Sequence, residues 1–103
     1  MSATGFAAPK DAKKSYEKGL QALLKNKPED AQKELEKATQ LYPKYADAWF
    51  NKGVALGAQN LYEEAIECYD KVLFINPEYL DALNNKGVAL ASLGRYEDAL
   101  EYY

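Results

Sequence analysis

Asn51 and Asn85 stand 34 residues apart, and each carries an amide that can both donate and accept a hydrogen bond. Amides repeated at a fixed interval, pointing the same way, can pair with the main chain of an extended peptide whatever its sequence. The alternative is that asparagine is merely tolerated at this register, and the residues alone leave both open. Other groups able to do chemistry are few. Cys68 is the single cysteine and histidine is absent, so the usual nucleophile–base pairs have no members. The adjacent acids Glu63-Glu64 and Glu97-Asp98 could form an acid–base pair. They recur in register where helical stretches begin, however, and complementing the helix dipole is role enough there. Cys68 lies near Glu67 and Asp70, whose charges raise a thiol pKa, which points to a packed or surface cysteine rather than a reactive one. Carboxylates scattered over helix surfaces make no convergent metal site, and no glycine-rich phosphate loop is present. These features point to no cofactor, no metal and no catalysis.

Composition narrows the class further. The chain has 103 residues, 48% hydrophobic and 28% charged, with no apolar run near the length of a membrane span. Residues 1–10 lack the basic start and long apolar middle of a secretory signal and are read as a flexible leader ahead of the folded part, 11–103. With no targeting signal in view, and one cysteine that can form no intrachain disulfide, a cytoplasmic setting is expected. Net charge is −3, and it is uneven: residues 1–50 carry nine cations and seven acids, whereas 51–103 carry four cations and nine acids. An acidic balance argues against nucleic acid, because neutralising phosphates needs clustered cations.

The elements that would position the asparagines follow from the same 34-residue interval. It relates Gly19, Gly53 and Gly87; Ala31, Ala65 and Ala99; Pro43 and Pro77; Tyr45 and Tyr79; and Lys18, Lys52 and Lys86. A fixed period in this range signals a solenoid built from one supersecondary unit. Each unit contains two amphipathic stretches, the first over roughly 12–25, 46–59 and 80–93, the second over roughly 29–42, 63–75 and from 97 onward. Ala31, Leu35, Ala38 and Leu41 recur at helical spacing, as do Ala65, Tyr69, Val72 and Ile75. Asn26, Asn60 and Gly94 fall at the breaks, where a left-handed residue closes a helix. Pro43 and Pro77 end the second helix of a unit. The small residues are expected to set the packing, with each glycine facing the alanine of its partner helix so that the two can approach closely.

This pattern resembles the tetratricopeptide repeat. The unit 46–79 matches it with Trp49, Gly53, Leu56, Ala65, Tyr69 and Pro77. The unit 12–45 keeps Gly19, Ala31, Ala38 and Pro43 but has Ser15 for the tryptophan and Leu35 for the aromatic. The third, 80–103, keeps Leu83, Gly87, Leu90, Ala99 and Tyr103 but is truncated. Lys18, Lys52 and Lys86 replace the usual leucine before the glycine. The resemblance implies an all-α, right-handed solenoid of antiparallel helical hairpins that binds a peptide or helix along the concave face of its first helices. Carried onto this chain, that lining is Lys13, Tyr16, Glu17 and Leu20; Asp47, Phe50, Asn51 and Val54; and Asp81, Asn84, Asn85 and Val88. The family's carboxylate clamp is not matched: of five positions only Asn51 is kept, with Tyr16, Leu20, Asp81 and Asn85 at the others.

The expected function is a non-enzymatic protein-interaction scaffold whose partner is a protein or peptide, with neither nucleic acid nor membrane. RNA binding of the pentatricopeptide kind fits less well, since the period is 34 rather than 35 and acids occupy the later units. A competing expectation starts from Tyr103, where the chain stops midway through a helix with no polar capping helix. As a fragment or engineered excerpt it would bury that C-terminal edge against another copy. Sedimentation across a concentration series separates the two. A self-assembling chain gains mass with concentration, and a strict monomer with a cooperative melt removes that alternative.

Overall fold

Left-handed residues and prolines cut the chain into rods at the expected places. A computed structural model describes residues 8–94, which form five helices: α1 (Lys10–Leu24), α2 (Pro28–Leu41), α3 (Ala46–Ala58), α4 (Tyr62–Ile75) and α5 (Leu80–Ser92). No strand occurs among the described residues, and none of these helices is long and apolar enough to cross a membrane. Asn26, Asn60 and Gly94 have φ of 58°, 64° and 76°. At the first two, the amide after the asparagine reaches back to Ala22 and Leu56 at 2.9 Å, satisfying carbonyls that the helix end would leave unpaired. Tyr42 and Asn76, each followed by proline, take φ of −143° and −141° and end α2 and α4 in extended backbone. None of the five N-termini has a side-chain cap. Each carries an acid in its first turn instead: Asp11, Glu29 with Asp30, Asp47, Glu63 with Glu64, and Asp81.

The helices pack in sequence order, α1 on α2, α2 on α3, α3 on α4 and α4 on α5, with an additional contact between α1 and α3. The outcome is an all-α solenoid. Its core is thin and made largely of alanine: Ala31, Ala38, Ala48, Ala55 and Ala82 are wholly buried and Ala65 nearly so. Leu35 and Val72 are the largest side chains completely enclosed. Trp49 stays half-buried and donates its indole N–H to the Pro43 carbonyl at 2.7 Å, which fastens α3 to the turn before it.

The close approach within a pair has a different origin from the one expected. A Cβ added at Gly19 would lie 2.6 Å from Leu35 Cγ, and one at Gly53 would lie 2.5 Å from Tyr69 Cε1. The large residue one turn beyond the alanine therefore fills each glycine's notch, rather than the alanine itself. Gly87 is buried in α5. By the same register its neighbour would be Tyr103, which lies outside the described residues, as do Glu97, Asp98, Ala99, the proposed C-terminal edge and the leader through residue 7. Helix α1 begins at Lys10, at the last residue of the segment read as leader.

The lysines that depart from the family pattern have a structural role. In two of the three units Lys52 pairs with Glu36 at 3.8 Å and Lys86 with Asp70 at 2.7 Å, so the ion pair recurs after 34 residues and ties α3 to α2 and α5 to α4. Lys52 and Lys71 also lie over the Trp49 ring, 5.1 and 5.6 Å from its centre. A further cross-link joins α3 to α2, where Gln59 donates to Gln32 at 2.9 Å.

Two glycines in α3 should respond to alanine in opposite ways. At Gly53 the buried Tyr69 ring has to move, and overpacking of this kind costs about 1–3 kcal/mol, more than the roughly 0.5–1 kcal/mol that alanine gains over glycine inside a helix. At Gly57 a Cβ would meet nothing within 4 Å, so only the helical gain remains. Urea unfolding should show Gly53→Ala less stable and Gly57→Ala as stable as the parent or more so. Equal midpoints would mean that the glycine at 53 does not set the helix spacing.

Candidate functional site

The odd-numbered helices share one face, and on it the sequence brings tyrosines, acids and asparagines together. Asn51 Nδ2 donates to the Tyr16 hydroxyl at 3.2 Å and to the Asp47 carbonyl at 3.0 Å. Asn85 Nδ2 donates to the Tyr69 hydroxyl at 3.4 Å. Both amides are therefore held by phenols, but the phenols come from different positions. Tyr16 belongs to the first helix of its unit, where the next unit has Phe50. Tyr69 belongs to the second helix, where the preceding unit has Leu35. Each junction thus has one hydroxyl for its asparagine, supplied from α1 in one case and from α4 in the other. The amide nitrogen of Asn51 is fully committed, so its contribution to any ligand is an acceptor oxygen and not the donor–acceptor pair expected from the residue type.

Around these amides the rings are in contact. Tyr16 and Tyr45 have centres 4.9 Å apart, Tyr42 and Tyr45 5.6 Å, Phe50 and Tyr79 5.3 Å, and Phe50 and Tyr69 5.8 Å, all tilted. Tyr79 donates its hydroxyl to Asp47 Oδ1 at 2.6 Å, linking the start of α3 to the turn before α5. Tyr45 and Tyr79 are one period apart, yet their recurrence alone assigned them no role. The repeat register could have flagged them, because an aromatic kept just ahead of each first helix has to lie on that face.

Of the residues expected in the lining, Tyr16, Leu20, Phe50, Asn51, Val54 and Asn85 are half-buried, while Asn84 and Val88 are exposed. Lys13, Glu17, Asp47 and Asp81 are exposed too. Between α3, α4 and α5 the face opens into a cavity of about 240 Å³, bounded by Val54, Gly57, Tyr62, Ala65, Tyr69, Asn85, Val88 and Ala89. Gly57 and Tyr62 were not among the expected residues. A glycine next to the last residue of a helix reads as a spacer, and only the folded arrangement shows that it leaves a hole.

The remaining surface offers less. A cavity of about 250 Å³ beside Trp49, Lys52 and Lys71 is lined in part by Cys68, whose thiol burial pushes up to about 11, with Lys52 opposing and Glu67 adding to the rise. A thiol held that way is protonated at neutral pH and is no nucleophile. A wider cleft between α1 and α2, about 570 Å³, mixes Lys18, Lys25, Lys27, Lys33 and Lys37 with Asp30, Glu34 and Glu36. Its charges are solvated or pair locally, as Lys37 and Glu34 do at 3.7 Å. Among the described residues no cluster of three or more histidine, cysteine or acidic side chains could hold a metal.

Ionisation gives the fold a predictable alkaline limit. Burial pushes the Tyr45 phenol up to about 12, helped by Tyr16 and by the charges of Asp47 and Glu17. Tyr79 rises well above the usual tyrosine range through burial first and then its bond to Asp47. Burial likewise raises Tyr16 and Tyr69, against the bonds from Asn51 and Asn85. For all of these groups the unfolded chain loses its proton first, so stability is full below the unfolded value and drains away as pH rises toward the folded one. For Cys68 the loss runs from 9.0 to about 11, and for Tyr45 from 10.0 to about 12. Denaturation midpoints should fall from pH 9 upward, and Cys68→Ala should delay the onset to about pH 10. A midpoint unchanged up to pH 11 would contradict the burial of these groups.

Comparison with known proteins agrees with the helical-repeat fold. A tetratricopeptide repeat model matches residues 46–79, and a second tetratricopeptide repeat model matches 68–101. No match was found among curated proteins. Among solved structures, the crystal structure of the MamA protein is 27% identical and superposes with a TM-score of 0.87 over 89% of this chain, which spans about half (50%) of that one. The TPR domain of Arabidopsis OM64 is 23% identical with a TM-score of 0.87, over 88% of this chain and 75% of that one. The TPR2B domain of yeast Sti1, solved in complex with pHsp70, is 23% identical with a TM-score of 0.89, over 91% of this chain and 75% of that one. At that identity the last two likenesses are of fold alone.

Proposed function

We propose a function from one premise: the chain belongs to the tetratricopeptide repeat family. It acts as a protein-interaction scaffold with no chemistry of its own, and it binds an extended peptide along the face shared by α1, α3 and α5. The observation that carries this reading is the pair of clamped amides. Among the described residues neither asparagine oxygen accepts a hydrogen bond, while the nitrogens are held by Tyr16, Tyr69 and the Asp47 carbonyl. An acceptor fixed in place before the ligand arrives loses little entropy on binding. Two such acceptors, one period apart, suit the N–H groups of an extended main chain. Leu20, Phe50, Val54 and Val88 add apolar contact beside them.

A neighbour of this fold, the TPR2B domain of yeast Sti1, is solved in complex with pHsp70. A chaperone-tail carboxylate is a poor candidate here, because Asp81 stands where the family's clamp carries a lysine.

The test is selection of peptides from a random phage-displayed library on the full chain, followed by titration of the selected peptides. The Asn51→Ala, Asn85→Ala double variant, checked for intact helicity at the assay temperature, should bind them about fivefold more weakly for each lost bond, roughly 1 kcal/mol apiece. Undiminished affinity would place the binding elsewhere on the molecule.

A further inference from the structure

The cavity between α3, α4 and α5 lies over Gly57, a position at which the repeat has lost a large side chain. At the matching place one unit earlier the chain has Leu23, which packs against the buried cluster of Ala31, Leu35 and Ala55. One period later that leucine is replaced by Gly57, and a Cβ built there meets nothing within 4 Å. The other lining residues align in register as Val54 for Leu20, Tyr62 for Pro28, Ala65 for Ala31, Tyr69 for Leu35, Asn85 for Asn51, Val88 for Val54 and Ala89 for Ala55. The first junction is thus filled by the chain's own leucine, and the second is left as a hole of about 240 Å³ with Asn85 and half-exposed Val88 among its lining residues. Val88 retains 51% of its exposure, an apolar side chain that the rest of the chain covers only in part.

The charges on this face are polarised along the solenoid. One register runs Lys13, Asp47, Asp81, and in another Lys44 is replaced one period later by Glu78. Around the open junction the sign is therefore negative. Asp47 is bonded to Tyr79 through one oxygen, and the charges of Asp47 and Asp81 both act on that phenol. Asp81 and Val88 are seven residues apart on α5, about 10 Å along the axis, which an extended peptide covers in about three residues.

We propose that the hole over Gly57 receives one apolar side chain of leucine size from an extended segment, and that this segment carries a lysine or arginine within about three residues, set against Asp47 and Asp81. The assignment rests on the groove reading above and names the ligand class for it. Leu23 supplies the template for the anchor, and the acids supply the complement for the cation.

The probe is a fluorescein-labelled decapeptide library with leucine fixed at the centre and the other positions randomised. Wild-type protein should enrich lysine or arginine within three positions of the leucine, and added salt should weaken binding. Gly57→Leu plugs the hole from inside, and Val88→Asp spoils its lining from an exposed position should the first variant fold poorly. Each should weaken the selected peptide about tenfold or more. Asp81→Lys should reverse the preference toward acidic flanks. Full affinity in Gly57→Leu, or no basic enrichment in the wild type, overturns the proposal. If the asparagine double variant still loses affinity in that case, the groove reading survives; if it too binds normally, both fail. Concentration-dependent mass that Gly57→Leu abolishes would give the hole to a second copy and overturn the basic-peptide assignment.

Discussion

The fold depends on two places where a side chain is missing so that another can occupy its volume. At Gly19 and Gly53 the notch is filled by Leu35 and by Tyr69, at distances no real Cβ could tolerate. Glycine inside a helix costs about 0.5–1 kcal/mol in backbone entropy, and the burial of Leu35 or the Tyr69 ring more than offsets it. With that contact made, the alanines at 31, 48, 65 and 82 close the remaining gap with almost no exposed area. A thin core of this kind holds together because each layer is covered by the next, as expected of a one-dimensional stack.

The shared face inherits its chemistry from those contacts. Tyr69 is at once the plug for Gly53 and the hydroxyl that holds Asn85, so packing and amide orientation are one event. At the first junction Leu35 does the packing and cannot do the holding, and Tyr16 provides the hydroxyl instead. Two solutions reach the same result, an asparagine whose amide nitrogen is held by a phenol and whose oxygen accepts no hydrogen bond among the described residues. A polar group fixed in this way would lose little conformational freedom on meeting the ligand proposed for this face.

Between the units the connections are electrostatic as well as apolar. The Lys52–Glu36 and Lys86–Asp70 pairs are made by lysines that stand where the family pattern has leucine before its glycine. The acids of both pairs are substantially exposed, so each pair is worth little in isolation. Their value lies in register: a lysine stem covering apolar surface with its charge anchored at the rim keeps α3 over α2 and α5 over α4.

Much of this was legible in the residues. The period, the left-handed asparagines, the prolines and the acids of each first turn are local signals, governed by backbone torsions and helix dipoles that act over a few residues. They determined where the helices begin and end, to within about two residues, and that the chain is a helical solenoid. The face carrying Tyr16, Phe50, Asn51 and Asn85 also followed, once the period was aligned with its family. What only the folded chain decided was which side chain meets which. Leu35 and Tyr69 rather than the alanines fill the glycine notches, Tyr45 and Tyr79 join the aromatic face, and Gly57 opens a cavity that Leu23 closes one unit earlier. Those outcomes depend on distances between helices, and such distances are fixed by the volumes of all the neighbours together, which no local pattern encodes.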